Sequence, residues 1–128
     1  MYRLYPDVLG TLSFLKEKGI KIGMMTNAHG TIREIIDELD ITEYFDYITI
    51  SCEVGFSKPD PRIFEYTFEK MGLYNKDVLF VGDSYHTDVV GSKIAECDIA
   101  VIDRKDKDGK KQNNYLRLNN LTQIKNLI

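Results

Sequence analysis

The chain has 128 residues, enough for one domain with a real core. An apolar share of 43% and a charged share of 29% are those of a globular protein, and a net charge of −3 with interspersed signs excludes a basic nucleic-acid-binding face. No apolar run approaches the roughly 20 residues that cross a bilayer, and Met1–Asp7 holds no apolar signal core, so neither a membrane partner nor secretion is expected.

Apolar residues at Val8, Leu9, Leu12 and Leu15 predict a helix between Tyr5 and Lys18, closed by Gly19. Ile20 to Thr26 reads as a strand that ends in polar Asn27-Ala28-His29-Gly30. Ile32, Ile35, Ile36 and Leu39 share one face of a second helix, Thr31 to Leu39. Tyr47 to Ser51 is the next strand. The two prolines of Ser57-Lys58-Pro59-Asp60-Pro61 disfavour helix in the residues before them, and Pro61 suits the first turn of a helix that carries Ile63, Phe64, Thr67, Phe68 and Met71 and stops at Gly72. Val78 to Val81 is a short buried strand, Asp88 opens a further helix, and Ile99 to Ile102 is a strand. Arg104 to Asn114 is rich in Lys, Asp and Asn and reads as a surface loop. A short strand at Tyr115–Leu118 and a helix from Leu121 to Ile128 complete the chain. Strands alternating with helices predict a single α/β domain over 1–128, with a parallel sheet covered by helices on both faces.

Three polar clusters follow strand-like segments, where open α/β sheets bind ligands. Thr26 and Asn27 offer a hydroxyl and an amide to a phosphate oxygen. Lys58 is a compact positive charge for the same group. Asp83 follows the turn at Gly82, and Asp88 comes five residues later; two carboxylates at a strand end suit Mg²⁺, a hard cation that takes oxygen ligands. Each cluster alone is ordinary turn or loop chemistry, since Asn and Thr favour turns and a loop lysine is normally solvated. Together they describe a phosphoryl-transfer cradle for a small phosphorylated substrate, in which positioning and charge do most of the catalysis. His29 and His86 are expected to face solvent. Cys52 and Cys97 lie far apart and form no CxxC pair, which predicts two free thiols in a reducing cytoplasm.

The order of these clusters resembles the haloacid dehalogenase (HAD) superfamily. Ile22-Gly23-Met24-Met25-Thr26-Asn27 is similar to its second motif, Ser57-Lys58-Pro59-Asp60-Pro61-Arg62-Ile63-Phe64 to its third, and Phe80-Val81-Gly82-Asp83-Ser84-Tyr85-His86-Thr87-Asp88 to its fourth. The subgroup most resembled carries a helical cap (C1-type) between the first and second motifs. The resemblance implies a Rossmann-like core and Mg²⁺-dependent phosphatase chemistry through an aspartyl-phosphate. By it Thr26 binds the transferring group with Asn27 beside it, Lys58 stabilises nucleophile and phosphate, Asp83 ligates Mg²⁺, and Asp88 ligates it or orients its shell.

The family's first motif, an apolar strand ending in Asp-x-Asp, has no counterpart in these residues. Asp106-Lys107-Asp108 follows Arg104-Lys105 and stands at the wrong end of the order. The expectation is therefore a core whose first, central strand and cap are absent. Two open strand edges would then invite a dimer or a strand-donating partner. The alternative function is an inactive fragment or split-enzyme half that binds metal and phosphate only. A serine esterase built on Gly82-Asp83-Ser84 lacks a histidine placed for a triad. A receiver domain would carry its acid pair first and its lysine last, the reverse of the order here.

Overall fold

The computed structural model describes residues 2–105 and 115–128. Helix α1 (Val8–Glu17) leads to strand β1 (Gly23–Thr26), helix α2 (Ile32–Glu38) and strand β2 (Tyr47–Ile50). A short helix α3 (Ser51–Val54) precedes α4 (Pro61–Met71). Strand β3 (Leu79–Gly82) is followed by a π-helical turn (Tyr85–Val89), helix α5 (Val90–Ala95), strands β4 (Asp98–Ile102) and β5 (Leu116–Leu118), and a 3₁₀ helix (Leu121–Leu127). Every strand pairing is parallel.

Helix α4 shows why the local signals were readable. Pro61 stands in its first turn, the Asp60 carboxylate accepts from the Arg62 amide, and Gly72 closes it in the left-handed region. Its apolar face puts Ile63, Phe64, Thr67, Phe68 and Met71 in the interior. At the end of α5 the left-handed position is held by Glu96, at φ 60°. There the Asn75 side chain donates to the carbonyls of Ala95 and Glu96, tying down the turn.

The parallel strands fall into two sets, β1–β2 and β3–β4–β5. Among the described residues β1 and β3 thus each pair on one side only. The break between them is spanned by helices on both faces. Leu15 of α1 packs both with the cluster around Leu12 and Ile22, which includes Met24, and with the cluster that includes Leu79 and Val81. On the other face α4 sets Ile63, Phe64 and Phe68 against Met25 and Phe80. Alternation along each strand explains the division, since neighbouring residues point to opposite faces. The fold is the expected Rossmann-like α/β core with helices on both faces.

Several local expectations change. Strand β1 begins at Gly23, not Ile20, and α3 had no sequence signal. Asp88 does not open a helix: Ser84 is the N-cap, its hydroxyl accepting from Thr87, and Asp88 lies buried inside the π-helical turn. The helix expected from Leu121 to Ile128 is present as a 3₁₀ helix over Leu121–Leu127. The Asp106-Lys107-Asp108 segment lies outside the described residues.

Candidate active site

The C-terminal ends of β1 and β3 carry Thr26 and Asp83, and the loop before α4 carries Lys58. Asn27 is tied to that loop by both ends of its amide: Nδ2 donates to the Lys58 carbonyl at 3.0 Å, and Oδ1 accepts from the Lys58 amide at 2.8 Å. The Lys58 side chain runs the other way, and its Nζ lies 2.8 Å from Asp88 Oδ1. Asp88 Oδ2 accepts from the backbone amides of Asp83 at 3.0 Å and Ser84 at 3.1 Å. One continuous series of polar contacts therefore joins the three clusters across the break between the strand sets.

Burial sets the character of each group. The side chain of Asp88 is 3% exposed and that of Lys58 13%, so each charge depends on the other, because an unpaired buried charge is expensive. The Lys58 ammonium also lies 5.6 Å from the centre of the Phe80 ring, a cation–π contact that suits a partly desolvated cation. Gly82 is required here: a Cβ at that position would collide with the Asp88 carboxylate. Gly91 lets Phe64 and Pro59 approach α5, where a Cβ would meet the Phe64 ring at 2.6 Å. Thr26 is half-buried, while Asn27 and Asp83 are exposed, as are His29 and His86.

The two carboxylates expected to meet Mg²⁺ differ in readiness. Both Asp88 oxygens already accept hydrogen bonds, whereas the exposed Asp83 carboxylate accepts none from the described residues. No group of three or more His, Cys, Asp or Glu side chains is placed to hold a metal among the described residues. That donor set does not suit a cation needing an all-protein cage. It does suit Mg²⁺, which keeps several waters and takes one or two carboxylates together with substrate phosphate.

A family model for haloacid dehalogenase-like hydrolases matches residues 1–95. The chain belongs to this family. HAD relatives include the glyceraldehyde 3-phosphate phosphatase of Methanothermobacter thermautotrophicus, 36% identical over 94 residues that make up 72% of this chain and 41% of that enzyme. The phosphoglycolate phosphatase of Escherichia coli is 35% identical over 73% of this chain and 37% of its own length. The crystal structure of a HAD phosphatase from Thermococcus onnurineus superposes with a TM-score of 0.90 at 29% identity, covering 98% of this chain and 58% of that one. The chain thus spans about two fifths of the length of the curated relatives it matches.

Sequence reasoning missed the partner of Asp88. The motifs give Lys58 and Asp88 separate tasks, and no local signal couples residues 30 apart. It also missed Ser51, whose hydroxyl accepts from the Ala28 amide at 3.0 Å and donates to the Ala28 carbonyl at 3.2 Å. A serine at a strand end is too common to stand out.

Proposed function

We propose that this chain is the core of a Mg²⁺-dependent phosphohydrolase acting on a small phosphorylated metabolite. The observation that carries the reading is the ion pair from Lys58 to Asp88, whose other oxygen holds the amides of Asp83 and Ser84. It joins the Lys58 loop to the 83–88 turn, and the Asn27 amide bound to the Lys58 backbone adds the end of β1. The names of the relatives, phosphatases of small phosphate esters, support the same substrate class. Thr26 and Lys58 contact the phosphoryl group. Asp83 holds Mg²⁺ and Asp88 orients that end of the site. The metal, when bound, neutralises charge on the phosphate oxygens. The unpaired thiols of Cys52 and Cys97 support a reducing cytoplasm.

The nucleophile of this scheme is an aspartate on a parallel strand between β1 and β3, supplied by another segment of the polypeptide or by a partner. The singly paired edges of β1 and β3, with α1 and α4 spanning the break, support that placement. A helical cap of the C1 type accompanies that strand and selects the substrate. Residues 1–128 alone then bind phosphate and metal weakly without turnover.

The test is hydrolysis of p-nitrophenyl phosphate by the natural polypeptide at full length, with and without a chelator, beside Asp83→Asn. Turnover that survives both chelation and the substitution would overturn the reading. Residues 1–128 are assayed in parallel. Robust turnover there, lost in Asp83→Asn, would place the nucleophile within these residues and remove the need for another strand.

A further inference from the structure

The loop after β1 is held from two sides. On one side the Ser51 hydroxyl, at the end of β2, both accepts from and donates to the backbone of Ala28. On the other, the Asn27 amide both donates to and accepts from the backbone of Lys58. Two reciprocal pairs fix position and orientation together, because each supplies a donor and an acceptor in opposite senses. The Asn27 amide has one arrangement that satisfies this. Reversed, it would set NH₂ against N–H and oxygen against oxygen. Only one N–H of Asn27 is then left for any ligand.

The consequence falls on Lys58. Its backbone is pinned by Asn27, and its ammonium is pinned by Asp88 and lies over Phe80. A flexible lysine stem has several rotatable bonds, so an ammonium is placed only if both ends are held. From this geometry we propose that Asn27 and Ser51 are positioning residues for Lys58, acting in series through Ala28, and that Asn27 does not bind phosphate itself. Its neighbour Thr26 remains the phosphate contact on this loop. The role in phosphate chemistry rests on the functional reading above; the positioning of Lys58 does not.

The test uses two readouts on the ¹⁵N-labelled natural polypeptide at full length. The first needs no phosphate: hydrogen exchange of the Lys58 backbone amide and the signal of its ammonium. Asn27→Ala should speed exchange of the Lys58 amide about tenfold, the value of roughly one hydrogen bond, and move the ammonium signal toward that of solvated lysines. Asn27→Asp keeps the acceptor for the Lys58 amide and should fall between. Ser51→Ala should act in the same direction more weakly, and Ser51→Thr, which restores the hydroxyl, should return parent values. Unchanged exchange at the Phe64 and Phe68 amides of α4 shows that the fold is kept. The second readout is affinity for inorganic phosphate. Asn27→Ala should weaken it about tenfold in the parent, by the same hydrogen-bond scale, and not at all in a Lys58→Ala background. An equal loss in both backgrounds would mean that Asn27 meets phosphate directly, and would overturn the proposal. So would Lys58 signals that ignore Asn27→Ala. If those signals respond but the parent binds no phosphate, the functional reading fails and the positioning role stands.

Discussion

Two ion pairs of nearly equal length sit in very different surroundings. Lys58 and Asp88 meet at 2.8 Å with side chains 13% and 3% exposed. Arg33 and Glu53 meet at 2.7 Å with 46% and 38% exposed. The second pair is the better fork, since Arg33 Nε and Nη2 each reach a different Glu53 oxygen. Geometry would rank it first. Burial reverses the order. Water screens the Arg33 pair, and either member left alone is simply solvated. The Lys58 pair has little water to fall back on, and Asp88 also serves two backbone amides. Contact distance alone says little about what a pair does; the alternative open to each charge says more.

Breaking the buried pair should have the largest effect. Asp88→Ala strands the Lys58 charge and two amides, and should cost about 3–5 kcal/mol in urea denaturation, with phosphate binding lost. Lys58→Ala combined with Asp88→Ala should recover part of that loss, because no lone charge is then left inside. A double mutant no more stable than Asp88→Ala would contradict the argument.

Asp7 provides an intermediate case. Its carboxylate accepts from the Leu121 amide at 2.6 Å and from Arg104 Nη1 at 3.1 Å, joining the start of α1 to the 3₁₀ helix. The Arg104 guanidinium in turn lies 3.7 Å from the centre of the Tyr5 ring. Asp7→Ala should cost about 1.5–3 kcal/mol, the range for hydrogen bonds to a charged group. Burial alone raises the Asp7 pKa, but the Leu121 amide and Arg104 outweigh it and hold it below the usual value of 3.8. A lowered folded pKa means that the contribution is complete above the unfolded value and disappears as pH falls through the folded one. The stability gap between the parent and Asp7→Ala should therefore be constant from neutral pH down to about pH 5 and close at lower pH. A gap that closes near neutrality would rule this out.

Gly82→Ala tests the packing beneath the same buried pair. The added methyl must push the Asp88 carboxylate, and overpacking of this kind should cost about 1–3 kcal/mol in the same denaturation assay.

Arg33→Ala should have the smallest effect, with a stability change too small to separate from the parent at physiological salt. Raising the salt concentration should weaken what remains of that pair and leave the Lys58–Asp88 coupling intact. A large, salt-independent loss in Arg33→Ala would show that the guanidinium's hydrogen bond to the Ile48 carbonyl matters more than its charge.

Most element boundaries were legible because their causes are local. A proline, a capping aspartate and a closing glycine act within a few residues of α4. The order of Thr26, Lys58 and Asp83 was legible because each follows a strand or precedes a helix in a recognisable motif. Asp88 was misread as a helix opener because an acid before an apolar run has that meaning locally. In the fold its carboxylate turns inward, and Ser84 caps the turn.

What the sequence determined by itself was the alternation of strands and helices, the parallel α/β class and the set of polar residues at strand ends. Hydrophobic periodicity and capping are short-range properties that each segment carries alone. Only the tertiary structure decided how those residues share their hydrogen bonds. Asn27 binds Lys58 across 31 residues, Lys58 binds Asp88 across 30, and Asp7 binds Leu121 across 114. It also decided that β1 and β3 stay apart with α1 and α4 across the break. A side chain's periodicity says which face it lies on. Its partners depend on which other segments arrive there, and on how little water is left when they do.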